Sequence, residues 1–253
     1  MIAAHPSESC PTGFQIVDHG ESRKDLRNRT EVKYTLRDPD IQKLRQLLSG
    51  YCRSVSHNDR VSIVYSLYFD DAQVSACRAN LDGIGHRSKL RLRWYDTKLA
   101  PAKFFMEIKW RNNCVTGKHR FQIQSDTPLH QLPFRDVYRG MIEIVPPAQA
   151  RDVARFCDPI MVVQYKRQHF LTPDRELRLT LDYDLQFFDQ LGRRKLAMQF
   201  PTKLDALVVV EGKTPIGRGH ELLTFLRPLS PRADRCSKYV HGCRLLGYIK
   251  SGE

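Results

Sequence analysis

No stretch of the 253-residue chain approaches the roughly 18 consecutive apolar residues that a membrane-spanning helix needs. Met1 to Gly20 holds no basic segment followed by an apolar one, so no secretion leader is expected. The seven cysteines, at 10, 52, 77, 114, 157, 236 and 243, are odd in number, scattered, and form no Cys-x-x-Cys pair. Neither a structural zinc site nor a disulfide framework is indicated, and reduced thiols in a cytoplasm are the default. The nine histidines show no metal-ligand spacing. There is no Gly-x-x-x-x-Gly-Lys loop, which leaves a P-loop kinase mechanism without support. No repeat occurs at the spacings of solenoids or propellers. Acidic residues are also scarce: 28 face 41 Lys and Arg, a net charge of +13. That excess points to a polyanion, whether nucleic acid, phosphate chain or acidic membrane surface. Hydrophobic residues reach 41%, enough to build a core.

What the chain does have is a recurring two-faced strand. In Lys89-Leu90-Arg91-Leu92-Arg93-Trp94-Tyr95, charge and apolar character alternate with period two. Alone, this describes any half-exposed strand. The pattern returns at 29–36, 104–111, 118–123, 160–170, 176–183 and 207–213, with a further strand expected at 62–69. Helices are expected after Asp38-Pro39-Asp40, from about Asp71 to Asn80, in pieces between Leu129 and Cys157, at Gly219 to Leu226, and from Ser237 to Leu246. Residues 1–27, with Pro6, Pro11, Gly13 and Gly20, read as a flexible arm, and 28–253 as one domain.

The polar faces of these strands collect twelve cations: Arg29, Lys33, Lys89, Arg91, Arg93, Lys109, Arg111, Lys118, Arg120, Arg167, Arg178 and Lys213. Four anions accompany them: Glu31, Glu107, Asp182 and Glu211. Like charges opposite one another across a sheet are destabilising, so an anionic ligand is expected to neutralise them. Helices would cover the apolar faces, leaving the charges either on an open basic surface or lining a closed tunnel. About eight strands can close. Four acids among the cations favour the tunnel, because a Mg²⁺ or Mn²⁺ site needs one or two carboxylates and takes further ligands from phosphate oxygens.

Nine motifs occur in order: Thr30-Glu31-Val32-Lys33-Tyr34, Tyr68-Phe69-Asp70-Asp71, Leu90-Arg91-Leu92-Arg93-Trp94-Tyr95, Met106-Glu107-Ile108-Lys109, Lys118-His119-Arg120-Phe121, Tyr165-Lys166-Arg167, Leu179-Thr180-Leu181-Asp182, Val210-Glu211-Gly212-Lys213 and Ser237-Lys238-Tyr239. None is specific alone. Together they resemble the VTC domain, the polyphosphate polymerase branch of the triphosphate tunnel metalloenzymes. The resemblance implies an α+β fold with a closed antiparallel eight-stranded β-tunnel and helices packed outside. It implies transfer of the γ-phosphate of ATP to a growing polyphosphate chain, with Mn²⁺ or Mg²⁺. The matching catalytic cations would be Lys33, Arg91, Arg93, Lys109, Lys118, Arg120, Arg167 and Lys238. Lys33, Arg78, Arg91, Arg93, Lys109, Arg167 and Lys213 would contact the nucleotide, and Glu211 would bind the metal. Arg78 fits less well, because the loop between it and Arg91 is long for the family.

Where the related cyclases and triphosphatases open on Glu-x-Glu-x-Lys, this chain has Arg29 in the first position, which suits a polymer held along its length. ATP and polyphosphate are the expected partners, with no specific nucleic acid; a membrane partner and the oligomeric state are left open. Hydrolysis of tripolyphosphate or nucleoside triphosphates, and non-catalytic polyanion binding, are the alternatives. Several residues have an ordinary reading beside the functional one. Glu211 could pair with Lys213, Glu31 and Glu107 could orient cations, and Asp70 and Asp71 could cap a helix. Trp94 and Trp110 are expected in the core.

Overall fold

The computed structural model describes residues 12–18, 29–55, 61–113, 115–215, 217–218, 220–221, 227 and 236–250, with only the backbone of residues 29 and 30. The elements run in the order β1 (Gln15–Asp18), β2 (Arg29–Arg37), α1 (Ile41–Tyr51), β3 (Arg53–Val55), β4 (Ser62–Asp70), α2 (Ser75–Leu81), β5 (His86–Tyr95), β6 (Lys103–Asn112), β7 (Val115–Gln124), α3 (Phe134–Ile144), α4 (Pro147–Ala154), β8 (Asp158–Leu171), β9 (Arg178–Asp189), β10 (Thr202–Leu204), β11 (Leu207–Pro215) and α5 (Lys238–Leu245). No described helix is long and apolar enough to cross a membrane. The helix expected at 219–226 lies mostly outside the described residues.

The strands form one sheet in the order β1-β7-β6-β5-β4-β8-β9-β11-β2, with β10 beside β9 and β3 beside β8. The expected closed eight-stranded tunnel is not what the chain builds. The sheet has eleven strands and is open, with β1 and β2 at its ends, and no hydrogen-bonded ladder joins β2 to β7 among the described residues. Eight strands are long; β1, β3 and β10 have three or four residues each, too few for a period-two pattern to register. Alternation decides which face a side chain takes. It does not decide which edges meet. Here β1 occupies the free edge of β7, pairing Gln15 with Gln124 and Ile16 with Ile123. These residues fall inside the segment expected to be a loose arm, and Phe14 beside them is buried against Phe104.

Each apolar face finds cover. Leu90, Leu92, Trp94, Phe104, Met106, Ile108, Phe121 and Ile123 pack beneath Val137 and Met141 of α3 and Val153 of α4. Tyr34, Leu179, Leu181, Val208 and Val210 pack against Leu44 and Leu48 of α1. As expected, Asp40 starts α1: its Oδ1 accepts from the Gln42 and Lys43 amides at 2.9 and 3.1 Å. That satisfies two amides that the first turn leaves unpaired. Trp94 is in the core, stacked on Tyr65 with ring centroids 5.4 Å apart.

The opposite face is divided. One end is apolar: Val64, Met161, Val163, Leu185, Phe187 and Val209 receive Tyr239, Val240 and Cys243 of α5. A bulge makes this possible. The β8–β9 register shifts between Gln164 and Lys166, and Asp184 takes a φ of 52°. An extra residue in one strand flips its alternation. Asp182 therefore shares a face with Leu185 and Phe187, while Leu181 and Tyr183 turn toward α1. The other end of this face carries the charges.

Candidate active site

Cross-strand register sorts the cations of β5, β6 and β7 into tiers. Lys89, Lys109 and Lys118 stand opposite one another, and so do Arg91, Glu107 and Arg120. Arg93 lies in the next tier, opposite Phe105 and, on β4, Ser66. Arg91 and Arg93 are each 7% exposed and Glu107 1%, whereas Lys109 and Lys118 are exposed. The arginines thus form a buried floor beneath two more exposed lysines, whose ammonium ends still reach into the face.

Glu107 holds this floor together. Its Oε2 accepts from Arg91 at 2.7 Å through Nε and lies 2.6 Å from the second guanidinium nitrogen, with Arg93 at 3.6 Å. Its Oε1 lies 3.4 Å from Lys118 and 3.3 Å from Arg120. Burial pushes the Glu107 carboxyl up, but Arg91, Arg93, Lys118 and Lys109 more than reverse this and hold it well below the usual range. It is a fixed anion. Arg91 also donates to the Tyr68 hydroxyl at 3.0 Å, and Arg93 donates to Ser66 at 3.0 and 3.1 Å. Both guanidiniums are held from two strands.

The lysine tier is less comfortable. Arg91, then burial, pushes Lys109 well below the usual lysine range. Burial lowers Lys89 to about 8. Burial also lowers Lys118, with Arg120, Arg91 and Arg93 adding to the effect against Glu107.

Across the face, β2, β9 and β11 build a different arrangement. Lys33 and Lys213 alternate with Glu31 and Glu211: Lys33–Glu31 and Lys213–Glu211 are 2.7 Å apart, Lys213–Glu31 3.8 Å and Lys33–Glu211 4.0 Å. Register sets this square, pairing Glu211 with Lys33 and Lys213 with Glu31. Burial pushes Glu211 up, and Lys213, Lys33, Arg167 and Lys109 pull it well below its usual value. Burial and Glu211 push Glu31 up, yet Lys33, Lys213 and Lys109 lower it on balance. Beside the square, Asp182 takes a bidentate pair from Arg167 at 2.6 and 2.7 Å and accepts from Lys238 at 2.7 Å. Burial opposes these cations, which still bring its carboxyl to about 2.

The two arrangements face each other. Six strand steps separate β6 from β2. In a flat sheet that is about 29 Å. Yet Glu31 and Lys33 on β2 and Glu211 on β11 lie close enough to Lys109 on β6 for their charges to bear on its pKa. Charges in water are screened beyond about 10 Å. The open sheet is therefore curled, and its charged side is concave.

Three consecutive residues at the start of α5 tie this concavity down. Lys89 donates to Ser237 at 3.0 Å, Lys238 donates to Asp182, and Tyr239 donates to Asp70 at 2.6 Å. Asp70 Oδ1 also accepts the Asp71 and Ala76 amides, and Asp71 accepts those of Gln73 and Ser75, so both serve the start of α2.

Of the cations expected at the site, Lys33, Arg91, Arg93, Lys109, Lys118, Arg120, Arg167, Lys213 and Lys238 all take part in these linked arrangements. Arg78 is exposed on α2, its Nε donating to the Gln73 carbonyl. Sequence reasoning did not place Lys89 or Thr180 among the site residues. Lys89 was visible only as one more cation on an alternating strand. Thr180 stands directly opposite Glu211, and its only signal was its parity with Asp182.

A divalent ion fits the Glu31–Glu211 pair in part. Among the described residues no group of three or more His, Cys, Asp or Glu could hold a metal. Two carboxylates suffice where phosphate oxygens and water complete the shell.

The VTC domain model matches residues 28–247. The chain belongs to the VTC domain family. The polar residues of both arrangements fall within the matched span, and the placement is consistent with the triphosphate tunnel metalloenzyme superfamily. No curated protein matched the chain. Among solved structures it is similar to the PH1819 protein from Pyrococcus horikoshii OT3, at 14% identity and a TM-score of 0.45, over 84% of this chain and 95% of that one.

Proposed function

We propose that this VTC-family chain is a metal-dependent phosphotransferase that lengthens polyphosphate at the expense of ATP. One observation carries the reading. Lys89, Lys109 and Lys118 stand in register across three strands, above Arg91 and Arg93, with Glu107 as the single carboxylate of that region among the described residues. Opposed like charges cost stability. A bound chain of phosphates would relieve that cost, with contact along several units.

The residues divide the work by chemistry. Arg91 and Arg93, held by Glu107, Tyr68 and Ser66, would present guanidinium forks to phosphate oxygens. Lys109, Lys118 and Arg120 would follow the chain along their wall, and Lys33, Lys213, Arg167 and Lys238 would complete the opposite wall. Arg78 would reach only the outer part of the nucleotide. In the transfer, a terminal oxygen of the polymer attacks the γ-phosphorus of ATP, the bond to the β–γ bridging oxygen breaks, and ADP leaves. Such a reaction asks the protein mainly for positioning and charge stabilisation. Glu211, with Glu31, would hold Mn²⁺ or Mg²⁺, which supplies neutralisation of charge on the phosphate oxygens.

The test is incubation with ATP and Mn²⁺, followed by phosphorus NMR and chain-length electrophoresis. The expected result is internal-phosphate resonances accompanied by ADP. Free phosphate without polymer would replace this reading with hydrolysis. Salt-sensitive binding of DNA or RNA without ATP turnover would replace it with a polyanion-binding module.

A further inference from the structure

Four buried side-chain polar atoms have no hydrogen-bond partner in the described structure: Tyr34 Oη, Arg120 Nε, Thr180 Oγ1 and Thr214 Oγ1. Two belong to the apolar side. Tyr34 packs with Leu44, Leu48 and Val210, and Thr214 shares the alternation of Val208 and Val210. The other two face the charges. Arg120 is already accounted for by Glu107 at 3.3 Å and by the Phe105 ring, 3.7 Å from its guanidinium carbon. Thr180 is left over.

Its position is fixed by neighbours. Thr180 alternates with the buried Leu179 and Leu181, so it shares the concave side with Asp182. Its cross-strand partner on β11 is Glu211, and on β8 it is His169. A buried hydroxyl without a partner costs stability, whereas a valine of the same shape would not carry that cost. A hydroxyl beside Glu211 can donate to an anionic oxygen and accept from a lysine or a bound water.

We propose that the Thr180 hydroxyl is a ligand-binding group, donating a hydrogen bond to a phosphate oxygen held at the Glu31–Glu211 wall. This inference rests on the reading that the concave face binds a phosphate chain. It adds a neutral, directional donor to a wall otherwise made of charged groups. Such a donor fixes where along the chain a phosphate unit stops, which a row of lysines does not.

The test compares Thr180→Val and Thr180→Ser with the unaltered protein, using linear tripolyphosphate as the probe, without metal and then with Mn²⁺. Calorimetric titration gives affinity and thermal unfolding gives stability. Thr180→Val should melt no lower than the unaltered protein and bind metal-free tripolyphosphate about tenfold more weakly. Thr180→Ser, which keeps the hydroxyl, should bind within about threefold of the unaltered protein. Equal affinity in the valine variant would show that the hydroxyl is satisfied by water or by protein alone and would overturn the inference. A valine variant that melts lower and binds normally would assign Thr180 a structural role and overturn it equally. If the unaltered protein itself does not bind tripolyphosphate, the proposed function fails first, independently of Thr180.

Discussion

The two walls of the concave face solve opposite problems. On β5, β6 and β7, six cations (Lys89, Arg91, Arg93, Lys109, Lys118 and Arg120) surround one carboxylate, Glu107. On β2, β8, β9, β11 and α5, four cations (Lys33, Arg167, Lys213 and Lys238) meet three carboxylates: Glu31, Asp182 and Glu211. The first wall is frustrated and the second nearly balanced. Frustration marks where a ligand's charge is wanted. On the proposed function, balance marks where a carboxylate would exchange a lysine partner for a metal ion. Glu107, 1% exposed and shared by Arg91, Arg93, Lys118 and Arg120, has no such freedom. Glu211 does, because its lysine partners sit on flexible stems and remain partly exposed.

The sharpest way to break the contrast is to remove Glu107. Glu107→Ala leaves buried cations without a counter-charge and should cost about 3–5 kcal/mol of stability, read by urea unfolding. Tripolyphosphate should restore more of the melting temperature in this variant than in the unaltered protein. If the ligand gives the variant no extra protection, the first wall is not its seat.

Arg93→Ala should lower ATP turnover by about 100- to 1,000-fold, as expected for the loss of a fixed donor to developing charge. The measurement is initial rate at saturating Mn²⁺. A fully active variant would remove the arginine floor from the mechanism.

A smaller effect is expected from pH. Burial holds Lys89 near 8, below its ordinary 10.5. Between those values the unfolded chain binds more protons than the folded one, so through this group stability rises with pH across that window. Tripolyphosphate affinity should do the opposite, falling by about tenfold as Lys89 discharges above pH 8. Lys89→Met should abolish that dependence. A pH profile of affinity unchanged by the substitution would show that Lys89 does not meet the ligand.

The smallest effect belongs to a control outside both walls. Lys166 pairs with Asp184 at 2.7 Å on the outer side, and both are about half exposed. Lys166→Ala should cost no more than about 1 kcal/mol and leave tripolyphosphate affinity unchanged. A loss comparable to that of Arg93→Ala would mean that net charge, rather than the concave face, governs binding.

Much of this site was legible before the fold was seen, because a strand's period of two writes its faces into the sequence. Lys89, Arg91 and Arg93 could be placed on one side of β5 from spacing alone, and Glu31 and Lys33 on one side of β2. Closure was not legible. The edge strand β1 is four residues in a segment rich in Pro and Gly, and backbone pairing at an edge leaves no periodic trace. Cross-strand rank was hidden as well. That Lys89, Lys109 and Lys118 form one tier depends on how β5, β6 and β7 slide past one another, which spacing within each strand does not set. Thr180 shows the same limit. Its place opposite Glu211 comes from the β9–β11 register, and its missing partner from burial.

The central claim is that the balanced wall holds the metal, while the phosphate chain lies between the two walls and draws most of its counter-charge from the frustrated one. Calorimetric titration of tripolyphosphate into Glu211→Gln, with and without Mn²⁺, tests it most directly. Removing a negative charge from a basic concavity should leave metal-free affinity equal or tighter. The gain in affinity that Mn²⁺ gives the unaltered protein should disappear. Glu211→Gln protein that keeps the full Mn²⁺-dependent gain would contradict the account.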